Sequence, residues 1–165
     1  MTAAQTTSDT LTAAGDLRLE RLLPGPIDRV WAYLTDSEKR RTWFASGEIE
    51  PRVGGKADLF FQHHGITEEA VPEPYREMME KGVASPERVS AYDPPRKLGY
   101  TFGGGEVTFE LTPAGGDVRL VLTQTRASKG EEGGWLAHLY ALGERLAGRK
   151  PDRFWAKIME HRERG

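Results

Sequence analysis

The sequence predicts an α+β protein in which one long C-terminal helix lies across an antiparallel sheet. Two observations carry this reading. Trp135, Leu139, Leu142 and Leu146 recur at i, i+4, i+7 and i+11, which gives a helix from about Gly134 to Leu146 one apolar face. Ahead of it, from about Arg88 to Arg126, four short runs alternate apolar and polar residues and are separated by Gly- and Pro-rich turns. A sheet with one apolar face and a helix with one apolar stripe bury them against each other. Such a pair can enclose a cavity, and a cavity is a place for a small molecule.

The elements follow in order. Residues 1–14 read as a disordered tail and residues 15–165 as a single domain. Leu17 to Leu23 is the first strand, broken by Pro24-Gly25-Pro26. Ile27, Val30, Trp31 and Leu34 then mark an amphipathic helix with Pro26 at its start. Asp36 or Ser37 caps a second short helix ending near Trp43-Phe44. Gly47 to Pro51 and Lys56 to His63 read as a hairpin around Gly54-Gly55. In its second strand Ala57, Leu59, Phe61 and His63 share one face. Gly65 to Ser85 is polar and proline-bearing, with one or two helical turns within Tyr75 to Lys81. It is expected to cover one side of a cavity mouth and to be mobile. Strands over 88–93, 97–102, 107–111 and 118–122 complete a set of seven. After the long helix, Gly148 is a stop, and Pro151 opens a last helix with Phe154, Trp155, Ile158 and Met159 on its apolar side.

Composition excludes several functions. The chain has 165 residues and no cysteine, so disulfides, Cys-bound zinc and thiol nucleophiles are ruled out. At this length roughly 70% of the unfolded surface can be buried without a covalent or metal staple. The net charge of -2 provides no field for nucleic acid, although the first two helices have a helix–turn–helix shape. The one basic run, Lys39-Arg40-Arg41 beside Glu38, reads as a solvated helix face. No apolar run reaches the roughly 20 residues of a membrane span. The N-terminus lacks the charged and apolar regions of a secretory signal, so a cytoplasmic location is the default expectation. The glycine clusters at 103–105 and 115–116 do not precede helices and read as hairpin turns, not phosphate cradles. No cofactor and no metal are expected.

Five segments together resemble a known family: LERLLPGPIDRVWAYLTD, RTWF, PRVGGK, AYDPPRKLGYTF and GGWLAHLYALGERLAG. Their order and spacing, over about Leu17 to Gly148, resemble the START-like superfamily. They are closest to bacterial relatives of the C-terminal domain of the Hsp90 ATPase activator. The resemblance implies a helix-grip fold, with a seven-stranded antiparallel sheet around the last helix and an apolar cavity between them. It also implies lipids, hormones or aromatic compounds as ligands of relatives and cyclisation or related reactions in some, which leaves a cyclase- or hydratase-type enzyme as a further alternative for this chain. A chaperone or another protein is the alternative partner, weakened because the activator's N-terminal contact domain has no counterpart here. The family offers no invariant catalytic motif, so no catalytic residue is assigned.

Candidate ligand contacts come from strand parity and the helix face. Trp43 and Phe44 are placed at the cavity mouth. Phe61, Tyr100, Phe102 and Gln124 face inward from the sheet, and Trp135, His138 and Leu139 come from the helix. Arg21, His63 and Arg126 are further inward polar positions. His63 and His64, as strand neighbours, should point to opposite faces and cannot chelate one metal together. No carboxylate has a spacing that would orient His138 as a catalytic base. The lining favours a ligand held by shape and apolar contact, with one or two polar anchors.

Overall fold

A computed structural model describes residues 9–164. Seven antiparallel strands form one sheet in the order β1-β2-β7-β6-β5-β4-β3. The strands are β1 (Thr10–Leu11), β2 (Leu17–Pro24), β3 (Lys56–Phe61), β4 (Val83–Asp93), β5 (Lys97–Phe102), β6 (Gly105–Ala114) and β7 (Asp117–Gln124). Helices α1 (Ile27–Thr35) and α2 (Ser37–Arg40) follow β2, and α3 (Arg76–Lys81) precedes β4. The long helix α4 spans Lys129–Leu146, and α5 spans Phe154–Arg164. The chain is thus an α+β helix-grip fold.

Period two does what the sequence requires. Leu98, Val107, Phe109, Leu120 and Leu122 are all at most 1% exposed, while Asp58, Glu106 and Glu110 lie on the solvent side. Against this face α4 packs Trp135, Leu139, Leu142 and Leu146. The central contact is therefore solid side-chain packing. Leu139 is 1% exposed, and Leu139→Ala should cost about 2–5 kcal/mol, read as a shift of the urea midpoint. An unchanged midpoint would contradict this packing.

Several boundaries differ from the sequence reading. Of the expected tail, residues 1–8 lie outside the described residues, but Thr10–Leu11 pair with Leu17 and Arg18 as β1. Asp9 accepts from Arg21 at 2.8 Å, so Arg21 ends in an ion pair rather than in a cavity. Gly47 to Pro51 is not a strand. Ser46 and Ile49 make only isolated bridges to Phe60 and Ala57 along the outer edge of β3. The seventh strand is β1 instead. β4 starts at Val83, within the segment read as a loop, because Val83 to Arg88 pair with β3. β3 stops at Phe61, and His63–Gly65 forms a 3-10 turn.

α4 begins at Lys129, nearly two turns before the apolar stripe opens at Trp135. Ser128 accepts from the Glu131 amide at 3.0 Å, and Glu131 accepts from the Ser128 amide at 2.9 Å. This reciprocal capping box holds a helical start that contains three glycines, each disfavoured in a helix.

The basic run is the largest departure. Lys39 and Arg41 are solvated, but Arg40 is 0% exposed. Its Nε donates to the Ala45 carbonyl at 2.9 Å. Its Nη1 reaches Leu34 and Thr35 at 3.2 and 3.1 Å, and its Nη2 donates to the Gly47 carbonyl. One guanidinium thereby closes the C-terminal end of α1 and ties down the chain leading to β3.

Candidate functional site

Two cavities adjoin at the N-terminal half of α4. The larger, about 420 Å³, lies between α4, α5, α3 and the 3-10 turn after β3. Its floor is His63, Met79, His138 and Trp155, all buried. Its rim carries Tyr75, Met78, Lys129, Ile158, His161 and Arg162. The smaller, about 320 Å³, lies between α4 and the aromatic ends of the sheet, lined by Phe44, Phe61, Phe102 and Trp135 with Ser128 and Glu131. Gly130, Gly134 and His138 line both. These three sit at i, i+4 and i+8, one stripe along α4.

The glycines explain the space. A Cβ on Gly134 would meet nothing within 4 Å, so its missing side chain is open volume. Gly133 serves packing instead. A Cβ there would come to 2.5 Å from His161 Nδ1, so glycine allows α5 to approach α4. His161 Nε2 lies 3.2 Å from Glu132, joining the two helices again. Glu69 accepts from the amides of Trp155 and Ala156 at 2.9 and 3.1 Å, fixing the start of α5. Arg145 near the end of α4 donates to the carbonyls of Thr42, Gly65 and Ile66.

Two histidines form the polar part of the floor, with ring centroids 5.0 Å apart. His138 Nδ1 is 2.7 Å from the Trp43 carbonyl. A carbonyl only accepts, so Nδ1 carries the proton and Nε2 keeps a lone pair. Burial pushes His138 down to about 4, against a smaller upward effect of that hydrogen bond. His63 is also held well below the ordinary imidazole value, first by burial and then by the neighbouring His138 and His64. Both rings are therefore neutral near pH 7. His63 Nδ1 is buried and has no hydrogen-bond partner among the described residues. Aromatic rings surround the pair: Phe44 and Phe154 each lie 5.0 Å from His138, and Phe154 lies 5.2 Å from His63.

The structure brings together Phe44, Phe61, Phe102, Trp135 and His138 from the residues named on sequence grounds, all around the smaller cavity. It places the other four elsewhere. Trp43 is 0% exposed and donates its indole N–H to the Tyr33 carbonyl at 2.8 Å, so it is core and not the mouth. Tyr100 is buried, and burial pushes its hydroxyl up from the usual phenol value. Leu139 packs in the core. Gln124 is 1% exposed and accepts the Trp135 indole N–H at 2.7 Å, so it positions a wall without lining the space. Arg126 is exposed and adopts a left-handed backbone.

Most of the larger cavity escaped the sequence reading. His63 was an inward candidate, but its pairing with His138 depends on the 3-10 turn. Tyr75, Met78, Met79, Trp155, Ile158, His161 and Arg162 come from segments whose mutual placement has no local signal. The Ser128-x-x-Glu131 pattern could have revealed the early start of α4, and with it the glycine stripe. Among the described residues no group of His, Asp or Glu side chains could hold a metal ion. No carboxylate among the described residues is hydrogen-bonded to either floor histidine to orient it as a base.

Comparisons with known proteins agree with this fold. Residues 24–146 match the family described as Activator of Hsp90 ATPase homolog 1-like protein. A solution structure of a Bordetella parapertussis protein is 38% identical, over 99% of this chain and 93% of that one, with a TM-score of 0.79. A conserved protein of unknown function from Enterococcus faecalis is 18% identical over 98% and 91% of the two chains, with a TM-score of 0.67. CalU16 from Micromonospora echinospora is 21% identical over 97% and 96%, with a TM-score of 0.62. The last two share the fold alone. No curated protein matches the chain. A family match across most of the domain, joined to the helix-grip topology, places this chain in the Activator of Hsp90 ATPase homolog 1-like family of the START-like superfamily.

Proposed function

We propose that this protein binds an apolar or aromatic small molecule in the paired cavities along the N-terminal half of α4. The observation that carries this reading is the stripe Gly130-Gly134-His138. A helix otherwise packed tightly on its sheet leaves side chains out where two aromatic-lined spaces meet. Glycine in a helix interior costs about 1 kcal/mol relative to alanine. Keeping the space open therefore has a stability cost, which a binding site offsets through function. Burial of a ligand's apolar surface contributes about 25 cal/mol per Å², and the larger cavity lies in the size range typical of ligand sites.

Gly134→Leu tests the reading. The substitution fills space shared by both cavities and also improves helix propensity. The thermal midpoint should stay level or rise, while binding of the neutral fluorophore N-phenyl-1-naphthylamine falls at least tenfold. Wild-type affinity in a folded Gly134→Leu protein would remove the cavities from the function. The protein-interaction alternative would then lead, with the exposed Phe60, Met78 and Val83 as its starting point.

A further inference from the structure

The larger cavity is polarised from mouth to floor. Lys129 and Arg162 are exposed at its rim, and His63 and His138 are buried at its floor. Among the described residues no Asp or Glu lines it, although the chain as a whole carries a net charge of -2. Neither rim cation pairs with a carboxylate among the described residues. Arg162 lies over the Tyr75 ring at 5.8 Å and reaches its hydroxyl at 3.4 Å. The first turn of α4 also carries Glu131 and Glu132, but Glu131 accepts from the Ser128 amide and Glu132 lies 3.2 Å from His161, so neither is spent on Lys129 or Arg162. The apolar lining runs from Met78 and Ile158 at the rim to Met79 and Trp155 at the floor.

The floor has a complementary need. His63 lines the floor with its Nδ1 turned away from the cavity and without a partner among the described residues, so a ring flip that brings Nδ1 to a ligand group satisfies it. His138 Nε2 can only accept, because its Nδ1 is committed to the Trp43 carbonyl. A hydroxyl both donates and accepts, so it satisfies either tautomer of His63; where His63 Nδ1 carries its proton, the hydroxyl accepts from it and keeps its own hydrogen for His138 Nε2.

We propose that the larger cavity takes an amphipathic carboxylate with a hydroxyl at its far end: the acid toward Lys129 and Arg162, the apolar body along Trp155 and Ile158, and the hydroxyl at His63. This rests on the small-molecule reading above and deepens it. Each part has a separate chemical origin. The carboxylate gains charge-assisted contacts where water still reaches the cations, so desolvation is modest. The body supplies apolar burial. The hydroxyl gains most from the floor, where a low local dielectric strengthens a satisfied hydrogen bond.

Isothermal titration of the full chain at pH 7 with 2-naphthoate, 2-naphthamide and 6-hydroxy-2-naphthoate separates these parts. The acid should bind at least tenfold tighter than the amide. Lys129→Glu/Arg162→Glu should abolish that preference, while Arg96→Glu, on the β4–β5 turn, should leave it intact. The hydroxyl should add a further fivefold or more in wild type and nothing in His63→Leu. Equal binding of acid and amide would overturn the carboxylate assignment and leave the apolar-binding reading standing. A hydroxyl gain that survives His63→Leu would overturn the floor assignment. Failure of all three ligands overturns this inference. If N-phenyl-1-naphthylamine also fails to bind wild type, the reading beneath it falls too.

Discussion

Arg40→Met is expected to destabilise the protein by about 3–5 kcal/mol, because four backbone carbonyls lose a charge-assisted donor and each such hydrogen bond contributes about 1.5–3 kcal/mol before the guanidinium's own desolvation is offset. The methionine fills the volume of the arginine stem but donates nothing. The carbonyls of Leu34, Thr35, Ala45 and Gly47 then lose the guanidinium that reaches all four. A buried carbonyl left unmatched costs about 1–3 kcal/mol, less where water enters. Arg40→Lys should recover only part of the loss, since a point-like ammonium cannot spread over four acceptors as a planar fork does. Urea denaturation followed by tryptophan fluorescence measures both variants. A loss below about 1 kcal/mol for Arg40→Met would show that the anchoring is dispensable. The expected consequence reaches the site, because Arg40 fixes the chain on either side of Phe44, which forms a wall of the smaller cavity.

Acidification should produce the second large effect. An unfolded histidine takes up its proton near pH 6.5, whereas folded His138 resists protonation down to about 4. Between these values the unfolded state binds more protons, so stability falls as pH falls. The contribution is intact above pH 6.5, declines through the window and is flat below about pH 4. The separation corresponds to roughly 3 kcal/mol for His138. His63 is depressed in the same direction and adds to the loss. Comparing denaturation free energies at pH 7.0, 5.5 and 4.5 for wild type and His63→Leu/His138→Leu isolates these rings from the carboxylates. The variant should lose markedly less stability on acidification, whatever its stability at neutral pH. Parallel pH profiles would reject the assignment of two neutral buried imidazoles. Ligand binding at the floor should hold through most of this window and weaken only near pH 4, where folded His138 takes up its proton and no longer accepts.

The local elements were legible because period and punctuation are local properties. Val107, Phe109 and Leu111 alternate, and so do Val118, Leu120 and Leu122, and each set is buried as its parity requires. Asp36 caps α2, accepting from the Lys39 amide at 2.9 Å. The misreadings arose where a tertiary contact overrode local signal. Thr10–Leu11 has no strand pattern of its own and becomes a strand because β2 offers a free edge. The glycines at 130, 133 and 134 argue against helix, yet the capping box and the packing of α5 keep them helical. Arg40 stands in a basic run that reads as solvated. Only the fold reveals that one of its three side chains turns inward to unmatched carbonyls.

The aromatic wall of the site followed from sequence, since Phe61, Phe102 and Trp135 lie on faces that parity and the helical period specify. Trp43 and Phe44 show the limit of that logic. They are neighbours at the end of a short helix, where no period separates the buried residue from the lining one. Trp43 satisfies its indole inside the core, and Phe44 is left to form the wall.

The sequence by itself determined the α+β class, the helix across the sheet, the apolar inner face and the family, since each depends on residue type at short, regular spacing. Tertiary structure alone decided where the empty space lies. It sits at the glycine-bearing start of α4 rather than over the centre of the sheet, where Leu139 and Leu142 pack solid. It also decided that His63 meets His138 and that Lys129 shares a rim with Arg162. Those pairings join residues far apart in the chain, and their distances are set by helix packing and a 3-10 turn, neither of which leaves a periodic trace in sequence.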